Sequence, residues 1–218
     1  MEKIILNGIL VDSQTNFRKV ILDINKNNLD IIKFNNDKFL VPSLELYFNL
    51  NCVKKVNFKK ISQVLLMLGL KGKKLSDFPL SYSNSDKYKL LLATALINNS
   101  SCLLLVFPNL YLDDCNMNLI LNVLKKLSKE YNKNIYIVSN QIDFLYRECD
   151  NLIIYKKNNI LFNSNRNNLY EKKDLLLSNG YCLPPILNFI FETETMKKVK
   201  LSPTFDIKEL MKDIYRNV

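Results

Sequence analysis

Helix-like and strand-like stretches alternate between residues 83 and 162, and this alternation restricts the fold more than any other feature of the chain. Residues 83–97 have helical periodicity, and 102–107 form an unbroken apolar run ending at Pro108. Residues 116–129 place Leu119, Val123, Leu124 and Leu127 on one face. Strand patterns at 135–139, 152–155 and 160–162 enclose a short helix at 142–148. An apolar run bounded by turn signals reads as a strand covered on both faces, and parallel strands need crossover helices. The segment therefore predicts an α/β fold, with a mixed, partly parallel sheet and flanking helices.

The flanks read differently. Before residue 83, strands are expected at 3–11, 19–23 and 30–34, separated by Asn-rich turns, and helices at 43–50 and 58–68, the second stopped by Gly69. Beyond Asn163 the pattern turns helical, with one helix over 167–178, a break at Pro184-Pro185, and a last helix over 206–216. Asp206, with Glu209 three residues on, has the spacing of a capping box. Two domains are expected, 1–165 and 166–218.

Composition excludes several chemistries. The 218 residues contain no histidine, which removes imidazole acid–base catalysis and imidazole metal sites. Five cysteines, at 52, 102, 115, 149 and 182, are scattered without Cys-x-x-Cys spacing and read as reduced thiols rather than a disulfide or zinc framework. No metal site is expected. No apolar run approaches the roughly 20 residues that cross a bilayer, and the start Met1-Glu2-Lys3 makes a poor secretory signal, so a cytoplasmic chain is expected.

The net charge of +10 suggests a nucleic-acid partner, but Lys, Asn, Ile and Tyr are abundant together, as in an AT-rich coding bias, which argues against one. The charge is concentrated locally. Lys54, Lys55, Lys59, Lys60, Lys71, Lys73 and Lys74 fall in a stretch without acids. They form either a solvated helix face or a contact with an anionic surface, such as the lipid of the inner leaflet or a phosphate backbone.

From Pro79 to Ile160 the chain resembles an ATP-binding cassette ATPase in continuous register. The family's signature Leu-Ser-Gly-Gly-Gln falls on Tyr82-Ser83-Asn84-Ser85-Asp86, followed by Lys89 and Ala93-Thr94-Ala95-Leu96. Its Leu-Leu-Leu-Asp-Glu-Pro falls on Leu103-Leu104-Leu105-Val106-Phe107-Pro108, and its Leu-Asp turn on Leu112-Asp113. Val-Thr-His-Asp falls on Val138-Ser139-Asn140-Gln141, the Asp opening the next strand on Asp150, and Lys-Gly-Lys-Ile on Lys157-Asn158-Asn159-Ile160.

The resemblance implies where ATP chemistry would sit, and those positions are altered. In the family the Asp-Glu pair holds Mg2+ and aims a water. Val106 cannot hold a metal's water shell, and Phe107 cannot accept a proton. Asn140, in place of the histidine, does not titrate. The phosphate loop Gly-x-x-x-x-Gly-Lys-Ser/Thr is sought after the strand at 30–34, where Asn35-Asn36-Asp37-Lys38 stands without glycine. A core truncated in the phosphate-loop region is therefore expected, with no catalytic residue and no ATP in the chain's own pocket. ATP and Mg2+ would belong to a partner's site. Ser83, Asn84, Ser85, Asp86 and Lys89 would contact that nucleotide in trans, or Ser83 would simply cap its helix.

The tail resembles the C-terminal extension of energy-coupling factor ATPases, through Cys182-Leu183-Pro184-Pro185, Leu201-Ser202-Pro203-Thr204 and Asp206–Leu210. Read without the resemblance, it is a helical hairpin. With it, Pro184, Pro185, Leu201 and Leu210 belong to a dimerisation element. The expectation is a catalytically inactive subunit of an energy-coupling factor importer for vitamins or metal ions. It would be peripheral on the inner membrane face, paired with an intact ATPase subunit beneath a transmembrane scaffold. The alternatives are a soluble pseudoenzyme acting as a nucleic-acid-associated scaffold or regulator, and an ATPase with an unrecognised nucleotide site.

Overall fold

The computed structural model describes residues 6–24, 26–53 and 57–217. In chain order the elements are β1 (Asn7–Leu10), α1 (Phe17–Ile24), β2 (Leu29–Ile32), α2 (Leu44–Asn51) and α3 (Phe58–Met67). They continue with α4 (Asn84–Ile97), β3 (Cys102–Val106), α5 (Asp114–Tyr131), β4 (Asn134–Ser139) and α6 (Ile142–Glu148). β5 (Asn151–Lys156), β6 (Asn159–Asn165), α7 (Lys173–Ser178), α8 (Pro185–Lys197) and α9 (Ile207–Asn217) complete the described chain. The α/β class with a partly parallel, mixed set of strands is as the alternation predicts.

The chain forms two compact units, one including Ile24–Val138 and the other made of Asn7–Asp23 and Ser139–Val218. In the first unit β2, β3 and β4 are parallel, with Ile32 opposite Leu105 and Val106 opposite Val138. Every residue of β3 is buried. Leu90, Leu92 and Ala93 of α4 and Ile120, Leu121 and Leu124 of α5 are buried with it. Each such Leu or Ile side chain contributes ~1.5–3 kcal/mol by leaving water.

In the second unit β1 runs parallel to β5, and β6 returns antiparallel. Gly8 permits close packing: a Cβ there would lie 3.0 Å from Leu152 Cδ2 and 3.1 Å from Cys149 Sγ. Tyr155 of β5 donates its hydroxyl to Asp23 of α1 at 2.9 Å.

Four expectations need correction. Residues 19–23 are helical, within α1, where Val20 and Ile24 are buried at i,i+4 spacing and Leu22 is exposed. The β-branched run imitated a strand. The helix expected over 167–178 is a 3-10 segment, Arg166–Lys172, followed by the short α7. Pro184-Pro185 starts a helix, with Pro185 at the first position of α8, where a missing N–H costs nothing. Asp206 does cap α9, accepting from the Lys208 N–H, but Glu209 accepts from the Thr204 hydroxyl. The first part of the strand expected at 3–11, and Lys54 and Lys55, lie outside the described residues.

Candidate functional site

In α/β sheets, ligands bind beyond the carboxyl ends of the strands, so the ends of β2 and β3 are the place to look first. Val106, the last residue of β3, is 4% exposed. Phe107 follows in the left-handed region, with φ 48° and ψ 51°, a conformation that costs an L-residue ~1–2 kcal/mol. Its N–H donates to Val138 O at 2.9 Å, and the buried Pro108 begins a single 3-10 turn.

An aromatic cluster fills the space in front of these strand ends. Tyr88, from α4, is fully buried and its hydroxyl lies 3.3 Å from both Ile32 O and Val106 O, the last carbonyls of β2 and β3. Tyr111 stacks on Tyr88 at 5.6 Å and on Phe34 at 4.3 Å between ring centroids. Burial drives the Tyr88 phenol well above its usual range, so it remains a neutral donor. Mg2+ requires hard oxygen ligands and space for water. Val106 and Phe107 offer no side-chain oxygen, and the strand-end carbonyls are served by a phenol, so the residues present do not fit a magnesium–triphosphate group. Among the described residues, no three Cys, Asp or Glu side chains converge as metal ligands.

The phosphate-loop position also needs correction. Residues 35–38 form part of a 3-10 turn, Asn36–Phe39, with no α-helix immediately after. A parallel strand leading through a loop into a helix occurs instead at β1, residues 11–16 and α1. The spacing Gly-x-x-x-x-Gly-Lys-Ser/Thr fits this segment, placing Val11 and Asn16 at the glycines, Phe17 at the lysine and Arg18 at the hydroxyl residue. A loop of that length is present here, without the pattern's glycines and lysine. The β-branched run at 19–23 hides it in the sequence by imitating a strand. A strand followed six residues later by a helix face at Val20 and Ile24 was the available signal.

The signature-like segment is an ordered helix start. Ser83 caps α4, its hydroxyl accepting from the Asp86 N–H at 3.1 Å. Asn84 is exposed, and the Ser85 hydroxyl oxygen is buried without a hydrogen-bond partner among the described residues. Asp86 binds Lys73 at 3.0 Å and the buried Lys89 at 3.7 Å, so its charge is largely neutralised. Lys73 also lies over the Tyr82 ring, 3.8 Å from its centroid.

Leu112 is buried, and Asp113 caps α5, accepting from the Asn116 backbone N–H at 2.8 Å and its side-chain amide at 2.7 Å. These bonds hold the Asp113 carboxyl below its usual range. Asn140 is exposed just beyond β4 in the other unit.

In the basic stretch, Lys59, Lys71 and Lys74 are exposed, while Lys60 donates to Ile97 O at 2.9 Å at the carboxyl end of α4. In the tail, Pro184, Leu201 and Leu210 are buried and Pro185 is exposed. Phe189, Met196, Ile207, Met211 and Tyr215 are the apolar residues of α8 and α9 that face solvent. A cavity of about 250 Å³ lies among Phe189, Met196, Val199, Leu201 and Ile214.

No protein-family model matches the chain. It is similar to the energy-coupling factor transporter ATP-binding protein EcfA2 of Staphylococcus epidermidis, with 30% identity over 140 residues, covering 64% of this chain and 48% of the relative. It is also similar to EcfA2 of Staphylococcus aureus, with 22% identity over 169 residues, covering 78% of this chain and 58% of that one. The chain thus spans about half the length of the curated relatives it matches.

Among solved structures it resembles CbiO1 of Clostridium perfringens, described as part of the ABC transporter complex CbiONQ. The TM-score is 0.63 and the identity 19%, covering 85% of this chain and 87% of CbiO1. A dimeric bacterial ABC transporter cassette superposes with a TM-score of 0.58 and 18% identity, covering 76% of this chain and 87% of the cassette. At these identities the structural likeness concerns the fold.

Proposed function

From the premise that this chain belongs to the ATP-binding cassette ATPases, of the energy-coupling factor type, we propose that it is a non-hydrolysing subunit of an importer. It pairs with an intact ATPase subunit and docks beneath a transmembrane scaffold. The observation that carries this reading is the end of β3, where Val106 and Phe107 bring no side-chain oxygen and the Tyr88 hydroxyl serves the Ile32 and Val106 carbonyls. With no carboxylate there to activate water, hydrolysis falls to the partner.

The chain's contribution is then structural. The exposed apolar side chains of α8 and α9 supply a pairing face for the partner's tail, and the cavity at Phe189 and Leu201 takes one of its side chains. ATP and Mg2+ sit on the partner. The Ser83 turn approaches that nucleotide with the N-terminus of α4 and with Lys73 and Lys89, whose joint charge exceeds that of Asp86. The exposed Lys59, Lys71 and Lys74 meet anionic lipid on the cytoplasmic side of the membrane. Among the described residues no helix is long and apolar enough to cross a bilayer.

The test is affinity purification of the tagged chain from membranes, followed by ATPase assay of the isolated chain and of the complex. Co-purification of a second ATPase subunit and a multi-span membrane protein, with activity confined to the complex, supports the reading. Magnesium-dependent turnover by the chain alone overturns it.

A further inference from the structure

The loop at 11–16 differs from a phosphate cradle in more than its missing glycines. It contains an anion of its own. The Asp12 carboxylate accepts the Thr15 hydroxyl at 2.5 Å and the Gln14 N–H at 3.2 Å on one oxygen. Its other oxygen accepts the Lys157 N–H at 3.0 Å. Lys157 lies in the turn between β5 and β6 and has a left-handed φ of 57°. A second bond joins the same turn to the loop, from the Asn16 N–H to Asn158 Oδ1 at 2.9 Å. The Asn16 side chain then accepts the Arg18 N–H at 3.0 Å, capping α1.

Backbone N–H groups gathered around a loop before a helix attract a phosphate. Here those of Gln14, Asn16 and Arg18 already donate to oxygens of the chain itself. At the lysine position stands Phe17, which brings no compensating charge.

We infer that Asp12 is a built-in anion that replaces the phosphate. It holds the loop closed against the β5–β6 turn with no nucleotide present. The mismatch between these residues and a triphosphate is then a device and not simply a loss. An incoming phosphate would meet a carboxylate, and the donors it needs would have to leave oxygens they already serve. The Thr15 hydroxyl bond, together with the two N–H bonds and nearby Lys156, keeps the Asp12 carboxyl below its usual range, so it stays ionised near neutral pH. This inference rests on the reading that the chain binds no nucleotide at this loop, and it assigns a cause to that reading.

The test is amide hydrogen exchange by NMR on the purified full chain, comparing wild type with Asp12→Ala. Removing the carboxylate should speed exchange at Gln14 and Lys157 by about tenfold, while amides in β3 change by less than about twofold. Thr15→Val serves if Asp12→Ala fails to fold. It removes only the hydroxyl donor and should give a smaller, same-sign change confined to the loop. On adding about 10 mM inorganic phosphate or Mg-ATP, wild-type Gln14 and Lys157 resonances should stay fixed, as expected of donors already engaged by a carboxylate. Unchanged protection in the variants overturns the inference, and so do saturable phosphate shifts at these amides in wild type. An active ATPase whose loop behaves as predicted would instead sink the proposed function and leave this inference standing.

Discussion

Placing a carboxylate at the end of β3 is a direct probe of whether that end is closed. Val106→Asp alters a residue that is 4% exposed and whose backbone carbonyl lies 3.3 Å from the buried Tyr88 hydroxyl. Loss of valine burial costs ~1.5 kcal/mol. A carboxyl there is desolvated, and a rise of ~3 units in its folded pKa penalises the ionised form by ~4 kcal/mol. Because the folded pKa is raised, the penalty begins above the unfolded value of about 3.9 and grows until the pH passes the folded one.

The variant should therefore lose about 3 kcal/mol near pH 5 and about 5.5 kcal/mol near pH 8, by urea unfolding followed by circular dichroism. Millimolar Mg2+ should recover none of it, because only a ligand that binds the native state stabilises. A loss below ~1 kcal/mol at both pH values would refute the reasoning, as would recovery with Mg2+, since either means the strand end remains a wet, metal-competent pocket.

Other outcomes follow from the same geometry. Ser83→Ala should cost about 1 kcal/mol by denaturant unfolding, through loss of the α4 cap seen at 3.1 Å. Asp86→Ala leaves the buried Lys89 without the carboxylate 3.7 Å away and should cost ~1–3 kcal/mol, more than Lys73→Ala at the half-buried end of the pair. Hydrogen bonds hold the Asp12, Asp23, Asp77 and Asp113 carboxyls below their ordinary range, so the stability they add is present above the unfolded carboxylate range and lost as pH falls through the folded one. With no histidine present, thermal unfolding should change little near neutrality and the melting temperature should fall below about pH 4. Ile207→Glu with Met211→Glu, both exposed, should leave stability within ~0.5 kcal/mol of wild type while reducing partner recovery in pull-downs.

The parts legible in the sequence were those written in local patterns. Ser83 reads as a helix cap because a short polar side chain three residues before an N–H has one obvious role, and the structure places it there; Asp113 caps α5 in the same way, although the sequence marks it only as part of a Leu-Asp turn. The buried run at 102–106 was likewise plain from its unbroken hydrophobicity.

Segment α1 misled because Val20-Ile21-Leu22 carries β-branched residues, and only two of its apolar positions are buried. That error displaced the phosphate-loop position by more than twenty residues, from 11–16 to 35–38. Pro184-Pro185 misled because proline both breaks helices and starts them. The Tyr88 bridge to Ile32 and Val106 and the Asp12 bond to Lys157 join residues far apart in the chain, and no local pattern announces them.

The most direct measurement is calorimetric titration of the isolated chain with Mg-ATP, with γ-phosphate release followed on the same preparation. A β3 end without side-chain oxygens at Val106 and Phe107, and a loop at 11–16 whose donors Asp12 already engages, each predict no saturable heat and no release above buffer. Saturable, magnesium-dependent binding with phosphate release would contradict it.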